Sequence, residues 1–331
     1  MITTRKAVFL IVLIAALMLQ GCYYTQAARG HMQLMRDRVP VEDVLAAADT
    51  PLELKKRLLL LQEAREFAVD ELLLPDNDSY RSYADLEREY VVWNVFAAPE
   101  FSLQPKTWCY PVAGCVSYRG YFRQEDASRQ ASKLASKGFD VAIGGVAAYS
   151  TLGRFDDPLI STMMRREDTE LAALLFHELA HQLLYVKGDA GFNESFATAV
   201  EEFGVIRWLK ARGNEQEIDE YFARRELRQQ LMQLVAAARE DLGTYYAETI
   251  DPDEKRLLKQ HRLESLQQDV SAVLQRQGQE QNGWFSGTLN NARLISMTLY
   301  EGRLQEFREL LAACKDDLEC FYGAARDLAA R

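Results

Sequence analysis

Two histidines one helical turn apart, inside an apolar segment, impose the strictest geometric condition on this chain. His177 and His181 flank Glu178 in the run His-Glu-Leu-Ala-His, and leucines recur around them at helical spacing. Residues three or four positions apart share one face of a helix. Asp168 or Thr169 can cap the N-terminus of such a helix, and Gly188 can end it. The pattern therefore predicts a helix between this cap and Gly188, with both imidazoles on one face.

This spacing lets the two imidazoles reach one metal ion. The chain contains only four histidines, so a chance match to the motif H-E-x-x-H is rare. Glu178 is rotated by about 100° from His177 on a helix and can act on water beside the ion without binding the ion itself. We therefore predict one Zn2+ per chain, with His177 and His181 as ligands and Glu178 as general base. The alternative is a pair of buried histidines beside a surface glutamate.

A catalytic zinc ion needs a third protein ligand and one open position. Glu194 follows His181 after twelve intervening residues. Asn193 is expected to cap the next helix, with Glu194 in its first turn, so that two antiparallel helices present three ligands to one point. Glu201 shares the helix face of Glu194 and can orient a ligand histidine from behind. A simple surface position is the alternative for Glu201.

These segments resemble a known group of enzymes. Residues 177–182 and 193–201 resemble the gluzincin metallopeptidases, particularly the aminopeptidase N type, although the connector between them is shorter here. A longer resemblance, to a bacterial family of predicted aminopeptidases with a lipoprotein signal, is carried by residues 108–115, 118–122, 149–153, 156–158, 290–292 and Tyr300. The resemblance implies zinc-dependent hydrolysis of a peptide substrate, with an aminopeptidase as the first expectation and an endopeptidase as the alternative.

The resemblance also implies a donor for the oxyanion that forms during hydrolysis. Gluzincins use a tyrosine or histidine downstream of the third ligand, and the candidates are Tyr245, Tyr246, His261 and Tyr300. We assign Tyr300 because it lies near one of the segments that carry the resemblance. Its replacement by phenylalanine should lower turnover far more than zinc affinity.

The segment before the zinc helix is expected to bind substrate by strand addition, as it often does in such enzymes. Gly144 and Gly145 would let a peptide approach the backbone closely, and Tyr149 lies in the same segment. An ordinary turn is the alternative. No residue of the sequence identifies the carboxylate that an aminopeptidase needs for the α-ammonium group of its substrate.

The N-terminus has the pattern of an export signal. Arg5 and Lys6 precede an uncharged run at 7–19, which is short for a membrane span. Leu19-Gln20-Gly21-Cys22 resembles the lipobox of bacterial lipoproteins. This implies that residues 1–21 are a signal peptide and that Cys22 carries a lipid anchor. The protein is then expected in the cell envelope, facing the periplasm, with the outer membrane favoured. An uncleaved anchor helix is the alternative.

Four further cysteines form two local pairs. Cys109 and Cys115 have five residues between them, as do Cys314 and Cys320. In an oxidising compartment we expect two disulfides, although four cysteines allow three pairings. A four-cysteine zinc site is the alternative, with a less suitable spacing.

Composition limits the remaining possibilities. Hydrophobic residues make up 48% of 331 residues, and 39 basic against 49 acidic residues give a formal charge of −10. This composition is that of a globular protein, and the acidic balance argues against nucleic acid as a partner.

The predicted fold class is α+β. Residues 22–331 are expected to form one catalytic domain, with a helical part at 22–89, a small mixed β-sheet at 90–160 and a mostly helical zinc-binding part at 161–331. Long charged segments at 212–246 and 252–277 predict a helical hairpin. The competing hypothesis is a non-catalytic envelope lipoprotein with a structural zinc ion, in which this hairpin binds a partner.

Overall fold

A computed structural model of the chain describes residues 23–110, 114–279, 285–297 and 303–330. The helices there are α1 (23–36), α2 (Val41–Ala46), α3 (Leu52–Asp70), α4 (Gln124–Ala135), α5 (Asp168–Leu183), α6 (Ala190–Ala211), α7 (Gln216–Ala247), α8 (Pro252–Arg276), α9 (Asn291–Met297), α10 (Leu304–Ala313) and α11 (Leu318–Ala329). The strands are β1 (Val39–Pro40), β2 (Ser82–Ala84), β3 (Val92–Pro99), β4 (Trp108–Tyr110), β5 (Gly114–Val116), β6 (Tyr118–Tyr121), β7 (Phe139–Val146) and β8 (Leu159–Ile160).

The main hydrophobic core surrounds helices α5 and α6. Helix α3 packs on α5, while α10 packs on α6 and α11 on α10. Apolar side chains occur on several faces of α5 and α6, as expected for helices that are covered on more than one side. Large rings fill the space between these helices, and five are fully buried: Phe176, Phe192, Phe196, Phe307 and Phe321. Helices α3 and α10 thus hold the α5–α6 pair in place.

Two small sheets and a hairpin lie before α5 in the chain. Strands β6, β3 and β7 form an antiparallel sheet in that order, and α4 packs on one of its faces. Strands β1, β2 and β8 form a mixed sheet, in which only β2 and β8 run parallel. Strands β4 and β5 form a separate antiparallel hairpin.

Helices α7 and α8 form the long hairpin that the charged segments predict. Asp251 caps α8, and Pro252 occupies its first turn. Their facing apolar side chains form a second cluster, with Val235, Leu242, Leu266 and Val270 buried at its centre. Helix α9 joins this cluster to the antiparallel sheet, because it contacts β3, β7 and α7.

The α+β class is confirmed, while two details differ from expectation. The part at 22–89 is not wholly helical, since it contains β1 and β2. The strands at 90–160 form an antiparallel sheet, and the mixed sheet is built partly from residues outside that range. Strands of two or three residues are too short to show the alternation that reveals a strand in a sequence.

Candidate metal centre

Helices α5 and α6 bring the predicted ligands onto facing surfaces. The connector between them contains Gly188, whose φ of +89° suits glycine. Asp189 caps α6 by accepting a hydrogen bond from the backbone N–H of Phe192 at 2.8 Å. The prediction that Asn193 is this cap is wrong. Asn193 lies within the first turn, and its carboxamide accepts from the N–H of Val186 at 2.7 Å and donates to the Val186 carbonyl at 2.8 Å.

Three potential ligand atoms converge between the two helices. Nε2 of His177 lies 3.1 Å from Nε2 of His181 and 3.3 Å from Oε2 of Glu194. Nε2 of His181 lies 3.7 Å from Oε1 of Glu194. Among the described residues, this is the one group of three or more histidine, cysteine, aspartate or glutamate side chains placed to hold a metal ion.

This arrangement fits a zinc ion. Zinc bonds to nitrogen and oxygen are about 2.0–2.2 Å long, so the edge of a tetrahedral site is about 3.3–3.6 Å. The two imidazole nitrogens are 3.1 Å apart, and each lies 3.3 to 3.7 Å from one of the two carboxylate oxygens of Glu194, which is close to that edge. Two imidazoles and one carboxylate also form a donor set that catalytic zinc ions use. His177, His181 and Glu194 therefore fit the zinc ion that the motif H-E-x-x-H predicts.

Glu201 fixes the orientation of His177. Its Oε2 lies 3.0 Å from Nδ1 of His177, which leaves Nε2 free to face the ligand cluster. Its Oε1 accepts hydrogen bonds from the hydroxyl of Tyr221 and from Nη1 of Arg225, both at 3.0 Å. Burial by itself raises the pKa of Glu201, but hydrogen bonding and the charges of His177 and Arg225 bring that pKa below its ordinary value. Glu201 therefore stays ionised behind the ligand.

The two ligand histidines differ in their affinity for a proton. Burial lowers the pKa of His177, but Glu194 and Glu201 outweigh burial and raise that pKa to about 10. Burial and the neighbouring His177 lower the pKa of His181 to about 4. Without a metal ion, a proton at neutral pH resides on His177. A cation held by this cluster would displace that proton, because imidazoles that bind a metal ion are neutral.

Glu178 lies beside this cluster in a partly buried position. Burial raises the pKa of Glu178, and the charges of Glu194 and Asp157 raise it further, while His177 opposes them. Asp157 is fully buried, and its Oδ2 accepts from the N–H of Thr151 at 2.7 Å. A carboxylate with a raised pKa can both accept and return a proton near neutral pH.

A loop at 75–81 brings a residue to Glu178 that the sequence did not indicate. Tyr80 has a φ of +64°, which is a strained value for a bulky residue, and it is only 2% exposed. Its hydroxyl has no hydrogen-bond partner among the described residues. Burial raises the pKa of Tyr80 well above its ordinary value, and the charge of Glu178 adds to this effect. The buried phenol therefore interacts electrostatically with the predicted general base, while the neighbouring Ser150 and Gln182 lower its pKa.

Polar contacts hold this loop in place. Arg65 is 4% exposed and donates from Nε to the carbonyl of Ser79 at 2.9 Å. Asn77 donates to Oε1 of Gln182 at 2.7 Å, and Gln182 donates to the hydroxyl of Ser79 at 3.3 Å. Gln182 directly follows His181 in the chain, so the loop is tied to the ligand helix.

The antiparallel sheet presents a polar group between two glycines. Asn94 on the central strand β3 pairs with Gly120 on β6 and Gly144 on β7. On the same face, two residues further along β3, Phe96 pairs with Tyr118. Burial raises the pKa of Tyr118 on this face, and the charge of Glu194 adds to the effect.

The residues predicted to bind substrate have other contacts. Gly144 is buried. A Cβ atom at Gly145 would overlap the ring of Tyr90, so packing explains this glycine. The hydroxyl of Tyr149 lies 3.2 Å from Nδ1 of His31 on α1. Their role in substrate binding remains a prediction.

Tyr300 and Cys22 lie outside the described residues. Tyr245 and Tyr246 lie on α7, at least 24 residues beyond Tyr221, or about 36 Å along the helix. His261 is exposed on α8 of the same hairpin. The structure thus separates these three alternative oxyanion donors from the part of α7 that contacts Glu201.

Both local cysteine pairs are disulfides. Cys109 bonds to Cys115 and joins β4 to β5, while Cys314 bonds to Cys320 and joins the end of α10 to α11. The preferred interpretation of the four cysteines is thereby confirmed, and the structure supplies the pairing. In the part of the chain that the structure describes, no helix has the length and apolar character needed to cross a membrane.

Comparison with known proteins gives one match. The family model Aminopep, described as "Putative aminopeptidase", matches residues 22–331. Neither a curated protein nor a solved structure matches the chain.

Proposed function

The chain belongs to the Aminopep family, and we propose that it is a zinc-dependent peptidase, with aminopeptidase action as the first expectation. Zinc is proposed to bind to His177, His181 and Glu194. The observation that carries this proposal is the convergence of three candidate ligand residues, whose imidazole nitrogens and carboxylate oxygens lie 3.1 to 3.7 Å apart, beside the carboxylate of Glu178.

When bound, zinc supplies Lewis-acid polarisation of the peptide carbonyl and activates water for attack. Glu178 accepts the proton of the attacking water and returns it to the departing amine. Its raised pKa suits both steps, because the carboxylate is a stronger base than an exposed glutamate. Glu201 keeps Nε2 of His177 directed at the ligand cluster.

A catalytic site is favoured over a structural one by the number of ligands. A structural zinc ion is normally closed by four protein ligands, whereas a catalytic one keeps a position open. The cluster contains three candidate ligands within the described ranges. The adjacent, partly buried Glu178 would also have no role in a structural zinc site. This argues against the non-catalytic alternative, in which the hairpin would bind an envelope partner.

The proposed location is the bacterial cell envelope. The lipobox-like segment ending at Cys22 supports a lipid anchor on that residue. Two disulfides are consistent with an oxidising compartment such as the periplasm. Peptides are the proposed substrates, and the choice between aminopeptidase and endopeptidase action rests on the family description.

The decisive experiment compares two substitutions in protein that begins at Tyr23. We expect one zinc ion per chain in the parent, as measured by elemental analysis. Glu194→Gln should lose most of the zinc. Glu178→Gln should retain it while losing at least about 100-fold in turnover, the lower range for a general base. Glu220→Gln, on the surface of α7, is the matched control and should change neither quantity.

The outcomes separate the hypotheses. A zinc-free parent, purified without chelators, would exclude the proposed mechanism. Full zinc retention in Glu194→Gln would show that the third ligand is another residue. Unchanged turnover in Glu178→Gln would exclude its role as base. Peptides with free and blocked N-termini distinguish the two kinds of peptidase, because only an endopeptidase cleaves the blocked ones efficiently.

A further inference from the structure

Helix α1 is fastened to the antiparallel sheet from its first described residue. The guanidinium group of Arg119 on β6 lies 4.0 Å from the ring centre of Tyr23. Further along α1, Gln26 donates to the carbonyl of Gly120 at 3.3 Å and accepts from the N–H of Phe122 at 3.2 Å. A Cβ atom at Gly30 would overlap the ring of Phe122. Tyr23, the first residue that the structure describes, is therefore held against the sheet.

Tyr23 also begins a cluster of aromatic rings. It stacks on Tyr110 at 5.5 Å and meets the edge of Tyr24 at 5.8 Å. Tyr24 in turn lies 6.2 Å from Tyr110 and is 40% exposed. Trp108, on the same strand as Tyr110, packs in the cluster that contains Tyr23. We call Tyr23, Tyr24, Trp108 and Tyr110 the aromatic face, in which Tyr24 is exposed and the other three rings are partly buried.

The proposed anchor leaves almost no distance between this face and a membrane. One peptide bond joins Cys22 to Tyr23, and successive Cα atoms are about 3.8 Å apart. The polar layer of one leaflet is about 5–8 Å thick, from the difference between the bilayer and its hydrocarbon core. A residue about 4 Å from an acylated cysteine must therefore lie in that layer or at its surface.

The chemistry of the aromatic face matches that layer. Tyrosine and tryptophan are enriched at the boundary between lipid and water, because their rings are amphipathic. Two cations accompany the rings: Arg119 lies over Tyr23, and Nζ of Lys106 lies 5.6 Å from the ring centre of Trp108. Such cations are attracted to anionic lipid headgroups.

We propose that the aromatic face rests on the lipid surface and sets the orientation of the whole protein. A lipid bilayer is the occupant because the chain that precedes Tyr23 leads to the anchor with no linker. The sheet that follows α1 then lies towards the membrane. This inference depends on the anchor at Cys22 and not on the zinc chemistry, so each can fail without the other.

The test uses the full acylated protein in vesicles that contain a lipid brominated near its headgroup. Acylation of Cys22 is verified by mass spectrometry. The difference in emission between the parent and Trp108→Phe isolates the signal of Trp108. The comparison protein carries a flexible Gly/Ser segment of about ten residues between Cys22 and Tyr23, whose root-mean-square span is about 17 Å.

We expect quenching by the brominated lipid to remove most of the Trp108 emission in the parent and little of it in the comparison protein. Labelling of Lys106 by a membrane-impermeant amine reagent should be suppressed in the parent and restored by the inserted segment. This second readout does not depend on a substitution in the fold. Peptidase activity in detergent should be the same in both proteins.

Three results would overturn the inference. Unquenched Trp108 in the acylated parent would show that the face is away from lipid. Equal quenching with and without the inserted segment would show that the tether does not impose the contact. Absence of acylation at Cys22, together with release of the protein from membranes, would remove its premise. None of these results bears on the zinc ligands, which are tested by metal content.

Discussion

The two ring nitrogens of His177 have separate tasks. Nδ1 is held by Glu201 at 3.0 Å, and Nε2 faces His181 and Glu194. A hydrogen bond at one imidazole nitrogen determines which nitrogen is available to a metal ion. Nδ1 of His181, by contrast, has no hydrogen-bond partner among the residues that the structure describes. The orientation of His177 is therefore fixed more firmly than that of its neighbour.

Tyr80 gives the sharpest prediction at the scale of single residues. Its buried hydroxyl interacts electrostatically with Glu178, and we expect it to donate a hydrogen bond to the ionised carboxylate during turnover. A hydrogen bond to a charged group contributes about 1.5–3 kcal/mol, or roughly 10- to 100-fold in rate. Tyr80→Phe should therefore lower kcat by that factor while KM and zinc content stay unchanged.

Tyr83→Phe is the matched control for this substitution. Tyr83 is also buried, but it lies on β2 and pairs with Leu159 on β8. We expect its loss of a hydroxyl to leave kcat unchanged. Equal effects of the two substitutions, measured by steady-state kinetics, would contradict a specific role for Tyr80.

At the scale of elements, helix α7 connects the surface of the protein to a ligand. Arg225 reaches Oε1 of Glu201 with Nη1 at 3.0 Å and Oε1 of Glu202 with Nε at 2.7 Å. Glu202 is also held by Arg308 on α10, through bonds of 2.7 and 2.9 Å. Because Glu201 orients His177, a shift of α7 would change the orientation of His177 in the cluster.

Loss of this connection should weaken metal binding. Partners of ligand histidines typically contribute 10- to 100-fold to metal affinity, and Arg225 acts one step further away. We expect Arg225→Gln to weaken zinc affinity by about tenfold, measured by competition with a chelator. The neighbouring Arg224→Gln, which removes only a distant pair with Glu170 at 3.8 Å, should leave it unchanged. Equal losses in both would point to a general effect on α7 instead.

The close packing of α5 against α6 can be tested with two glycines in helices. A Cβ atom at Gly204 on α6 would lie 2.6 Å from Cδ1 of Leu72 and 2.9 Å from Cδ2 of Phe176. Gly204→Ala should therefore cost about 1–3 kcal/mol of unfolding free energy, as overpacking does. Gly243 on α7 has no atom within 4 Å of such a Cβ. Gly243→Ala should stabilise by about 0.4–1 kcal/mol.

Urea denaturation measures both effects. The opposite signs are the essential result, because both substitutions add the same methyl group to a helix. A stabilising Gly204→Ala would show that the side chains of Leu72 and Phe176 can shift to make room for a methyl group.

For the whole molecule, polar contacts join the helical hairpin to the rest of the chain. Lys259 on α8 lies 2.6 Å from Oδ2 of Asp140, which also accepts from the N–H of Asn291 at 2.9 Å. The buried carboxamide of Asn291 donates to the carbonyls of Pro99, Glu100 and Ser102 at 2.9 to 3.2 Å. These contacts join the hairpin to the antiparallel sheet and α9, and the single domain expected for 22–331 stays a prediction.

A core substitution in the hairpin tests whether the hairpin and the rest of the chain unfold together as one domain. Leu266 is fully buried in the hairpin cluster, and Leu266→Ala should cost about 2–5 kcal/mol. In a single domain, the whole chain then unfolds in one transition at a lower temperature. Far-ultraviolet circular dichroism and the emission of buried Trp208, in the main core, should report the same midpoint. Separate midpoints would show that the hairpin is a domain of its own.

The sequence determined features that depend on local backbone geometry. A helix fixes the relation of His177, Glu178 and His181, because residues four apart are always one turn apart. The same periodicity placed Glu201 on the face of Glu194, and the Asp-Pro pair marked the start of α8. The position of Glu194 opposite the histidines also followed from the short connector, even though its cap was assigned to the wrong residue.

Other features were decided only by the tertiary structure. Tyr80 and Asp157 are distant from Glu178 in the chain, and Arg225 reaches Glu201 from another helix. No spacing rule links such residues, because their meeting depends on how loops and helices share one core. The pairing of Asn94 with two glycines likewise depends on strand register. Local hydrogen bonding in a helix thus determined the spacing of His177, Glu178 and His181. The packing of remote segments determined which side chains surround them, and these side chains govern the protonation and orientation of the three residues.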